Sequence, residues 1–166
     1  MSRQIATAIV LIPLTLPLTL TFTPSLTQPF TPALAQANTG GTIARLKRSN
    51  QRWIEVDLSR QTLIAWQGNR WIDAKYVSTG KASTPTYTGV FYVQTKLYST
   101  TMSGRDYSVP DVRYVMFYDG NYAIHGAYWH NRFGTPVSHG CINLAEDAAK
   151  WLYNWSSVGT PVVIHD

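Results

Sequence analysis

The chain has 166 residues, of which 45% are hydrophobic and 13% aromatic, and this favours one hydrophobic core rather than two. Its formal net charge of +5 favours contact with anionic polymers such as cell wall or nucleic acid. The lysines and arginines after Arg3 are scattered from Arg45 to Lys150, with no basic stripe interleaved with aromatic residues. We therefore expect no nucleic-acid partner.

Residues 1–35 have the pattern of an export signal peptide. Arg3 supplies a positive start, residues 5–22 form an apolar run, and Ala33-Leu34-Ala35 gives a small-residue cleavage pattern. We predict cleavage after Ala35, which changes the net charge from +5 to +4 because Arg3 is the only charged residue lost. The protein is then expected to be exported, to the periplasm or the cell wall.

The alternative for this segment is a membrane-spanning helix that stays attached. Such a helix needs about 20 consecutive apolar residues, whereas Pro13 and Pro17 interrupt the run and threonines dilute it. We expect contact with the membrane only through the export signal.

The next segment, 36–50, is polar and contains glycine, so we interpret it as a linker or a first edge segment. From Arg52 onward the pattern is typical of strands. "RWIEVDL" alternates apolar and polar residues, "QTLIAWQ" follows, and Gly68-Asn69 joins it to "RWIDAKYV" as a two-residue hairpin turn. The pattern predicts a β-meander.

Further strands are indicated by "GVFYVQTKL" and "VRYVMFYD", and Asp119-Gly120 turns the latter into "NYAIH". Residues 98–111 lie between these strands and are rich in glycine, serine and tyrosine. The length of this segment predicts a mobile loop over a site.

One helix is predicted near the end of the chain. Its apolar residues recur at spacings of three and four, with Asn143 as the N-cap and Glu146 at the capping-box position; they are Leu144, Ala148, Trp151, Leu152 and Trp155. Cys141 would then lie two residues before the helix. The free amides and dipole of a helix start can lower the pKa of a cysteine, so a thiolate is expected there.

Cys141 is the only cysteine in the chain, so it has no disulfide partner within it. A buried inert thiol, an intermolecular disulfide, a metal ligand and a nucleophile all remain possible. Sixteen positions earlier, His125 ends a predicted strand, and an imidazole can take and return the proton of a nucleophilic thiol. Gly140 removes a side chain beside the thiol, which would let a substrate carbonyl approach and leave backbone amides for an oxyanion.

The segment "IHGAYWHNRFGTPVSHGCINL" closely resembles the signature of L,D-transpeptidase catalytic domains, the YkuD-like group. The residues on that pattern are His125, Gly126, Gly134, Ser138, His139, Gly140, Cys141 and Asn143. The resemblance extends over residues 53–165 and includes "VSTGKASTPTYTGVF". Two positions depart from it: Tyr87 stands where a second proline is frequent, and Asn143 where arginine is commoner.

The resemblance implies a mostly β, sandwich-type fold over residues 51–166, with one α-helix after the cysteine. It also implies an exported cysteine acyltransferase that modifies peptidoglycan stem peptides. In this family a thiolate attacks the L-centre carbonyl of the diamino acid in a tetrapeptide stem, and D-alanine leaves. The amine of a second stem then resolves the thioester into a 3→3 cross-link. No cofactor and no metal are expected.

Residue roles follow from the same resemblance. Cys141 is expected to be the nucleophile and His125 the general base and acid. Active-site support and oxyanion binding are expected from Gly126, Ser138, His139 and Gly140. Asn143, Tyr128 and Arg132 are expected to line the substrate cleft, with Trp129 as a further neighbour, and His130 is interpreted as a loop or rim residue.

Other readings of the same residues remain. His125, His139 and Cys141 could hold zinc with one position open for water, although no Cys-x-x-Cys spacing is present. Papain-like peptidases place the cysteine before the histidine, whereas His125 precedes Cys141 here. A non-catalytic wall-binding module and an L,D-carboxypeptidase-type hydrolase are the remaining alternatives, and the sequence does not give an oligomeric state.

Overall fold

The computed structural model describes residues 32–166, with side chains from residue 39 onward. Most of the predicted export signal lies outside these residues. Neither of the two helices in the described part of the chain is long and apolar enough to cross a bilayer.

The described residues form nine strands and two helices, and the mostly β fold agrees with the expectation from the sequence. In chain order they are α1 (Pro32–Lys47), β1 (Arg52–Asp57), β2 (Thr62–Gln67), β3 (Arg70–Tyr76), β4 (Gly89–Tyr92), β5 (Thr95–Ser103), β6 (Ser108–Asp119), β7 (Tyr122–Gly126), β8 (Ile142–Leu144), α2 (Glu146–Trp155) and β9 (Pro161–His165). Five strands form sheet 1 in the order β3-β2-β1-β9-β4, and four form sheet 2 in the order β5-β6-β7-β8.

The predicted meander is present in sheet 1. β1, β2 and β3 pair antiparallel, and Gly68 and Asn69 form the turn between β2 and β3. Gly68 has φ +59°, a left-handed value that glycine adopts without steric cost. β9 pairs parallel with β1 and antiparallel with β4, so this last strand lies between β1 and β4 in the sheet.

Segment 36–50 is mostly helical and is not a linker or an edge strand. α1 runs through it to Lys47 and packs on sheet 1, where Leu46 forms a buried cluster with Trp53 and Val163. The threonine and two glycines in "NTGG" are weak helix formers. Burial of Leu46 and partial burial of Ile43 outweigh this low propensity, because packing of one face supplies most of a helix's stability in proteins.

Segment 98–111 is likewise not a long loop. It forms the paired ends of β5 and β6, and Met102 lies opposite Val109 and Ser103 opposite Ser108. Only residues 104–107 form the turn, closed by the hydrogen bond from the Gly104 N–H to the Tyr107 carbonyl at 2.9 Å. The serines and tyrosines that resemble a loop in composition are satisfied here by cross-strand pairing.

The predicted helix after the cysteine exists but begins later than expected. α2 starts at Glu146, and its N-cap is Ala145, which makes no side-chain capping hydrogen bond. Asn143 lies in β8 instead, because its backbone exchanges two hydrogen bonds of 2.9 Å with Ser78. A short strand therefore separates Cys141 from the helix.

Sheet 2 has two faces with different surroundings. Its inner face shares the main core with sheet 1 and α2; Met116, Ile124, Ile142 and Leu144 point there. Side chains alternate between the faces along a strand. The outer face therefore carries the neighbours of these residues, including a small apolar cluster of Met102, Val112, Val115 and Ala123 against which Cys141 packs.

Candidate active site

The outer face of sheet 2 brings the two predicted catalytic residues together. β7 and β8 pair parallel, with Ile124 opposite Ile142 and His125 opposite Asn143. Because Ile124 and Ile142 point into the core, alternation places His125 and Asn143 on the outer face, together with Cys141 at the start of β8. His125 and Cys141 are thus diagonal neighbours on adjacent strands, and both line one cavity.

The hydrogen bonds of His125 define its reactive nitrogen. Its side chain is buried, with the residue only 3% exposed, and Nδ1 lies 2.9 Å from the carbonyl oxygen of Gly126. A carbonyl only accepts, so Nδ1 carries the proton and Nε2 keeps a free lone pair. Burial lowers the pKa of His125 to about 4, despite the opposing effect of the Gly126 carbonyl. The ring is therefore neutral at pH 7 and available as a base.

Cys141 is half-buried and its thiol donates to the carbonyl oxygen of Asn121, 3.7 Å away in the turn before β7. Burial raises the pKa of Cys141 to about 11. The expected thiolate at a helix start is wrong, because β8 separates Cys141 from α2 and apolar neighbours disfavour the charge. At neutral pH the site holds a thiol and a neutral imidazole.

Ser138 and Gly140 fix the backbone of the loop before Cys141. Ser138 Oγ donates to the carbonyl oxygen of Cys141 at 2.6 Å and accepts the N–H of Gly140 at 3.0 Å. The Gly140 amide is therefore already paired rather than free for an oxyanion. Gly140 has φ +117°, and a Cβ there would lie 2.4 Å from the Tyr122 ring, so the loop requires glycine at this position.

The segment "TGKASTPT", residues 79–86, holds this loop through side-chain hydrogen bonds. Thr86 Oγ1 donates to the Gly140 carbonyl at 2.7 Å and accepts the N–H of Gly80 at 2.9 Å. Thr84 Oγ1 donates to the Ser138 carbonyl at 3.1 Å. This segment thus positions the loop that carries Cys141.

His139 lies against the tip of the β5–β6 hairpin. Its ring stacks on Tyr107 with centroids 4.6 Å apart, and Nε2 lies 3.7 Å from the Asp106 carboxylate and 3.4 Å from Lys81 Nζ. His139 therefore belongs to a polar wall beside the thiol.

Cys141 lies where two cavities meet. The smaller, of about 270 Å³, is mostly apolar and is lined by Met102, Tyr107, Val109, His125, Trp129, His130, Val137, Ser138, His139, Cys141 and Asn143. The larger, of about 680 Å³, has a lining of mixed polarity that includes Lys81, Arg105, Asp106, Asn121 and Tyr122. Tyr107, His139 and Cys141 border both cavities, so the thiol is reachable from two directions.

The three predicted substrate-binding residues are placed differently. Asn143 lines the smaller cavity and is 3% exposed. Tyr128 and Arg132 do not border either cavity: the Tyr128 hydroxyl donates to the Pro110 carbonyl at 2.9 Å, and the Arg132 carbonyl accepts from Ser78 Oγ at 2.8 Å. Within residues 32–166, no three His, Cys, Asp or Glu side chains are placed to hold a metal ion.

Several lining residues were not singled out from the sequence. Tyr107 belongs to the segment that was expected to lie over a site, so its composition was the available signal. His130 was interpreted as a rim residue, yet it lines the smaller cavity with Nε2 3.0 Å from the Asn143 side-chain amide. Among the polar residues of the larger cavity, Lys81 lies in the segment "VSTGKASTPTYTGVF" and Arg105 and Asp106 lie in segment 98–111, whereas Asn121 carried no functional signal.

Comparison with known proteins identifies relatives of this chain. L,D-transpeptidase 1 of Mycobacterium tuberculosis is 32% identical over 122 residues, which cover 66% of this chain and 48% of the relative. The chain therefore spans about half the length of that relative.

Solved structures give the same relationship. The catalytic domain of the Enterococcus faecium L,D-transpeptidase is 32% identical with a TM-score of 0.64, and the match covers 70% of this chain and 98% of that one. An L,D-transpeptidase in complex with imipenem is 27% identical with a TM-score of 0.65, covering 69% of this chain and 58% of the other. The family model of the L,D-transpeptidase catalytic domain, YkuD, matches residues 51–164. The fold is shared, and a histidine and the cysteine lie on one sheet face. The chain therefore belongs to that family.

Proposed function

We propose that this protein is an exported enzyme that cross-links peptidoglycan by L,D-transpeptidation through a thioester on Cys141. The observation that carries this proposal is the position of the Cys141 thiol at the junction of two cavities, beside a buried neutral imidazole. A transpeptidase needs access to one nucleophile for two substrates, an acyl donor and an amine acceptor. Two openings onto one thiol suit that requirement.

Acylation begins with transfer of the thiol proton. Because Nδ1 of His125 donates to the Gly126 carbonyl, Nε2 is the acceptor, and the sulfur attacks the L-centre carbonyl of the donor as its proton leaves. The tetrahedral intermediate collapses when the C–N bond to D-alanine breaks. The proton on Nε2 goes to the departing amine, which leaves a thioester on Cys141.

Deacylation repeats these steps with the acceptor. Nε2 takes a proton from the side-chain amine of a second stem, the amine nitrogen attacks the thioester carbon, and the thiolate leaves and regains the proton. The product is a 3→3 cross-link. Ser138 and Gly140 keep the Cys141 backbone in place during both steps, and the backbone around them is proposed to stabilise the oxyanion.

The test is mass spectrometry of muropeptides after residues 36–166 have been incubated with tetrapeptide-bearing peptidoglycan, with a Cys141→Ala protein as the control. We expect free D-alanine and cross-linked dimers, in the presence of a chelator as in its absence. Tripeptides without dimers would indicate the hydrolase alternative, in which water is the acceptor. Binding without any product would indicate a wall-binding module, and loss of activity in chelator with recovery in zinc would overturn the thiol mechanism.

A further inference from the structure

The positive charge of the chain is unevenly distributed along it. Residues 53–166 carry nine basic and nine acidic side chains, so their formal charges cancel. Segment 45–52 carries four basic side chains and no acidic one; they are Arg45, Lys47, Arg48 and Arg52. The net charge of +4 that remains after residue 35 therefore comes from this one segment, at the end of α1 and the start of β1.

Folding brings a fifth cation next to this segment. The Gly68 N–H donates to the Gln51 carbonyl at 2.9 Å, so the turn between β2 and β3 lies against segment 45–52. Arg70 follows that turn as the first residue of β3. The five cations thus lie together at one end of sheet 1.

Three tryptophans form a row across the outer face of sheet 1 beside these cations. Trp53 in β1 lies opposite Trp66 in β2, and Trp66 lies opposite Trp71 in β3. Directly opposed residues share a sheet face. Trp53 is fully buried, Lys47 Nζ lies 4.9 Å from the centroid of the Trp66 ring, and Trp71 is 61% exposed. The row therefore ends in an exposed indole at the sheet edge, one strand from the ring that Lys47 covers.

We call Arg45, Lys47, Arg48, Arg52, Arg70 and Trp71 the basic face; all six are exposed. None of the five cations forms an ion pair within residues 39–166. The β1 carboxylates on this side of the sheet, Glu55 and Asp57, pair instead with His165 and Arg60. The protein itself does not balance the charge of the basic face, which will attract an anionic partner.

The basic face and the candidate active site lie on opposite sides of the molecule. The two sheets share the main core through their inner faces, and α1 packs on the outer face of sheet 1. The cavities at Cys141 lie on the outer face of sheet 2. A single polymer chain would have to pass around the molecule to reach both sites. A bilayer surface contacts one side only and leaves the cavities accessible.

We propose that the basic face binds the surface of a bilayer containing anionic phospholipid, with its cations on the lipid phosphates and Trp71 in the headgroup region. Guanidinium groups pair well with phosphate, and an indole, which is apolar apart from one N–H, is favoured at a membrane–water interface. This contact is additional to the one expected through the export signal, and it does not depend on the proposed function. The bound protein presents Cys141 away from the bilayer.

Vesicle co-sedimentation of residues 36–166 tests the contact, because this form lacks the apolar run and keeps both sheets and the buried part of α1. We expect binding to vesicles of equal parts phosphatidylglycerol and phosphatidylcholine that weakens as salt is added, and little binding to phosphatidylcholine alone. Equal binding to both kinds of vesicle, or binding to neither, would overturn the proposal. Binding to purified peptidoglycan or DNA but not to vesicles would assign the basic face another occupant and would also overturn it.

Matched variants test where the charge acts. Arg48→Gln/Arg70→Gln should weaken binding to the anionic vesicles about twenty-fivefold, since each basic residue near such a surface contributes about fivefold. Arg113→Gln/Lys150→Gln removes the same charge from exposed positions on β6 and α2 and should weaken binding less than about threefold. Arg48→Lys/Arg70→Lys should bind like the parent protein. Equal losses in the two glutamine variants would mean that net charge alone causes binding, and would refute the basic face.

Trp71→Ala tests the indole. It should weaken binding at low and at high salt, because salt does not screen the apolar contribution of the ring. Binding that is unchanged in this variant would contradict the placement of Trp71 in the headgroup region. Thermal unfolding checks that each variant is folded, and if one is not, the lipid and salt dependence of the parent protein still decides.

Discussion

At the level of single residues, burial shifts the pKa values of two groups in the site in opposite directions. Burial raises the pKa of Cys141 to about 11 and lowers the pKa of His125 to about 4. Both groups are therefore uncharged at neutral pH, and no thiolate–imidazolium pair exists before substrate binds. In the proposed mechanism, proton transfer therefore accompanies the attack of the sulfur, and we expect the rate to depend on His125 as a general base.

The two histidines of the signature should differ in their effect on this step. His125→Ala should slow acylation of Cys141 by a carbapenem by about a hundredfold or more, the usual scale of general acid–base catalysis. His139→Ala removes a ring that stacks on Tyr107 and should leave the pH dependence of thiol alkylation unchanged. Stopped-flow acylation and alkylation against pH measure both. A shifted alkylation profile in His139→Ala, with an unchanged one in His125→Ala, would exchange the two roles.

Carbapenem acylation also tests the nucleophile itself. A solved relative is in complex with imipenem, and a carbapenem carries a strained carbonyl that a thiol can open. The intact protein should gain the mass of one drug molecule, whereas Cys141→Ala should gain none. A Cys141→Ala protein with the same added mass would place the acylated residue elsewhere.

Burial of His125 also predicts a pH dependence of stability. The pKa of the folded state is about 4 and that of an unperturbed histidine about 6.5, so between these values only the unfolded chain binds the proton. The stability is therefore fully present above pH 6.5 and is lost as the pH falls toward 4. From pH 7 to 4.5 this loss is about 2 to 3 kcal/mol.

A comparison with His125→Gln isolates this contribution, because the other acid-titrating groups are the same in both proteins. Urea unfolding at pH 7 and pH 4.5 should show the wild-type protein losing about 2 to 3 kcal/mol more than the variant. Equal losses in the two proteins would mean that His125 titrates normally in the folded state.

At the level of elements, α2 is held to sheet 2 by a lysine beneath its C-terminal end. Lys96 in β5 donates to the carbonyl oxygens of Tyr153 and Ser156, the latter at 2.6 Å, and its ammonium lies 4.2 Å from the centroid of the Tyr153 ring. The last carbonyls of a helix have no partner within it and carry partial negative charge. Lys96 satisfies two acceptors there from another element.

Replacing this lysine should therefore destabilise the fold. Lys96→Met keeps most of the aliphatic length and removes the donor, so we expect a loss of about 1–3 kcal/mol in the free energy of unfolding. Lys150→Met, on the exposed side of α2, is the matched control and should change stability by less than about 0.5 kcal/mol. Chemical denaturation of the three proteins gives the comparison, and equal losses in both variants would remove this role from Lys96.

Some of these elements could be predicted from the sequence, and others could not. The β1–β3 meander and its Gly68-Asn69 turn were predictable because alternation and turn chemistry are local. β8 was not, since three residues carry no periodic signal and their pairing partners, β7 and the isolated bridge at Ser78, are distant in the chain. The start of α2 was misplaced for the same reason: Asn143 has a good N-cap side chain, but strand pairing uses its backbone first.

At the level of the whole molecule, the arrangement depends on contacts between the first and last strands of residues 32–166. β9 lies between β1 and β4, and α1 covers the face of sheet 1 opposite the main core. No local pattern predicts that β9 lies between β1 and β4. The proposed catalytic pair could be named from the motif, whereas the two cavities, the Ser138 and Gly140 bonds and the position of His130 depend on packing and required coordinates.

The position of α1 predicts where the stable domain begins. The family model starts at residue 51, but Leu46 is fully buried against Trp53 and Val163. A protein comprising residues 51–166 should therefore be less stable than one comprising 36–166, and Leu46→Ala should cost about 2–5 kcal/mol in the longer form. Arg48→Ala, at an exposed position, should cost little. Thermal unfolding of the four proteins measures this, and an unchanged midpoint after truncation would show that α1 contributes nothing.

The raised pKa of Cys141 has a consequence for its durability under oxidising conditions. Thiolates attack peroxides and disulfides, and oxidation of a cysteine beyond sulfenic acid is effectively irreversible in most proteins. Because Cys141 is the only cysteine in the chain, no second thiol can trap its sulfenic acid as an intramolecular disulfide. In the proposed mechanism the thiol stays protonated until a substrate carbonyl and His125 act on it together, so we expect it to react slowly with oxidants.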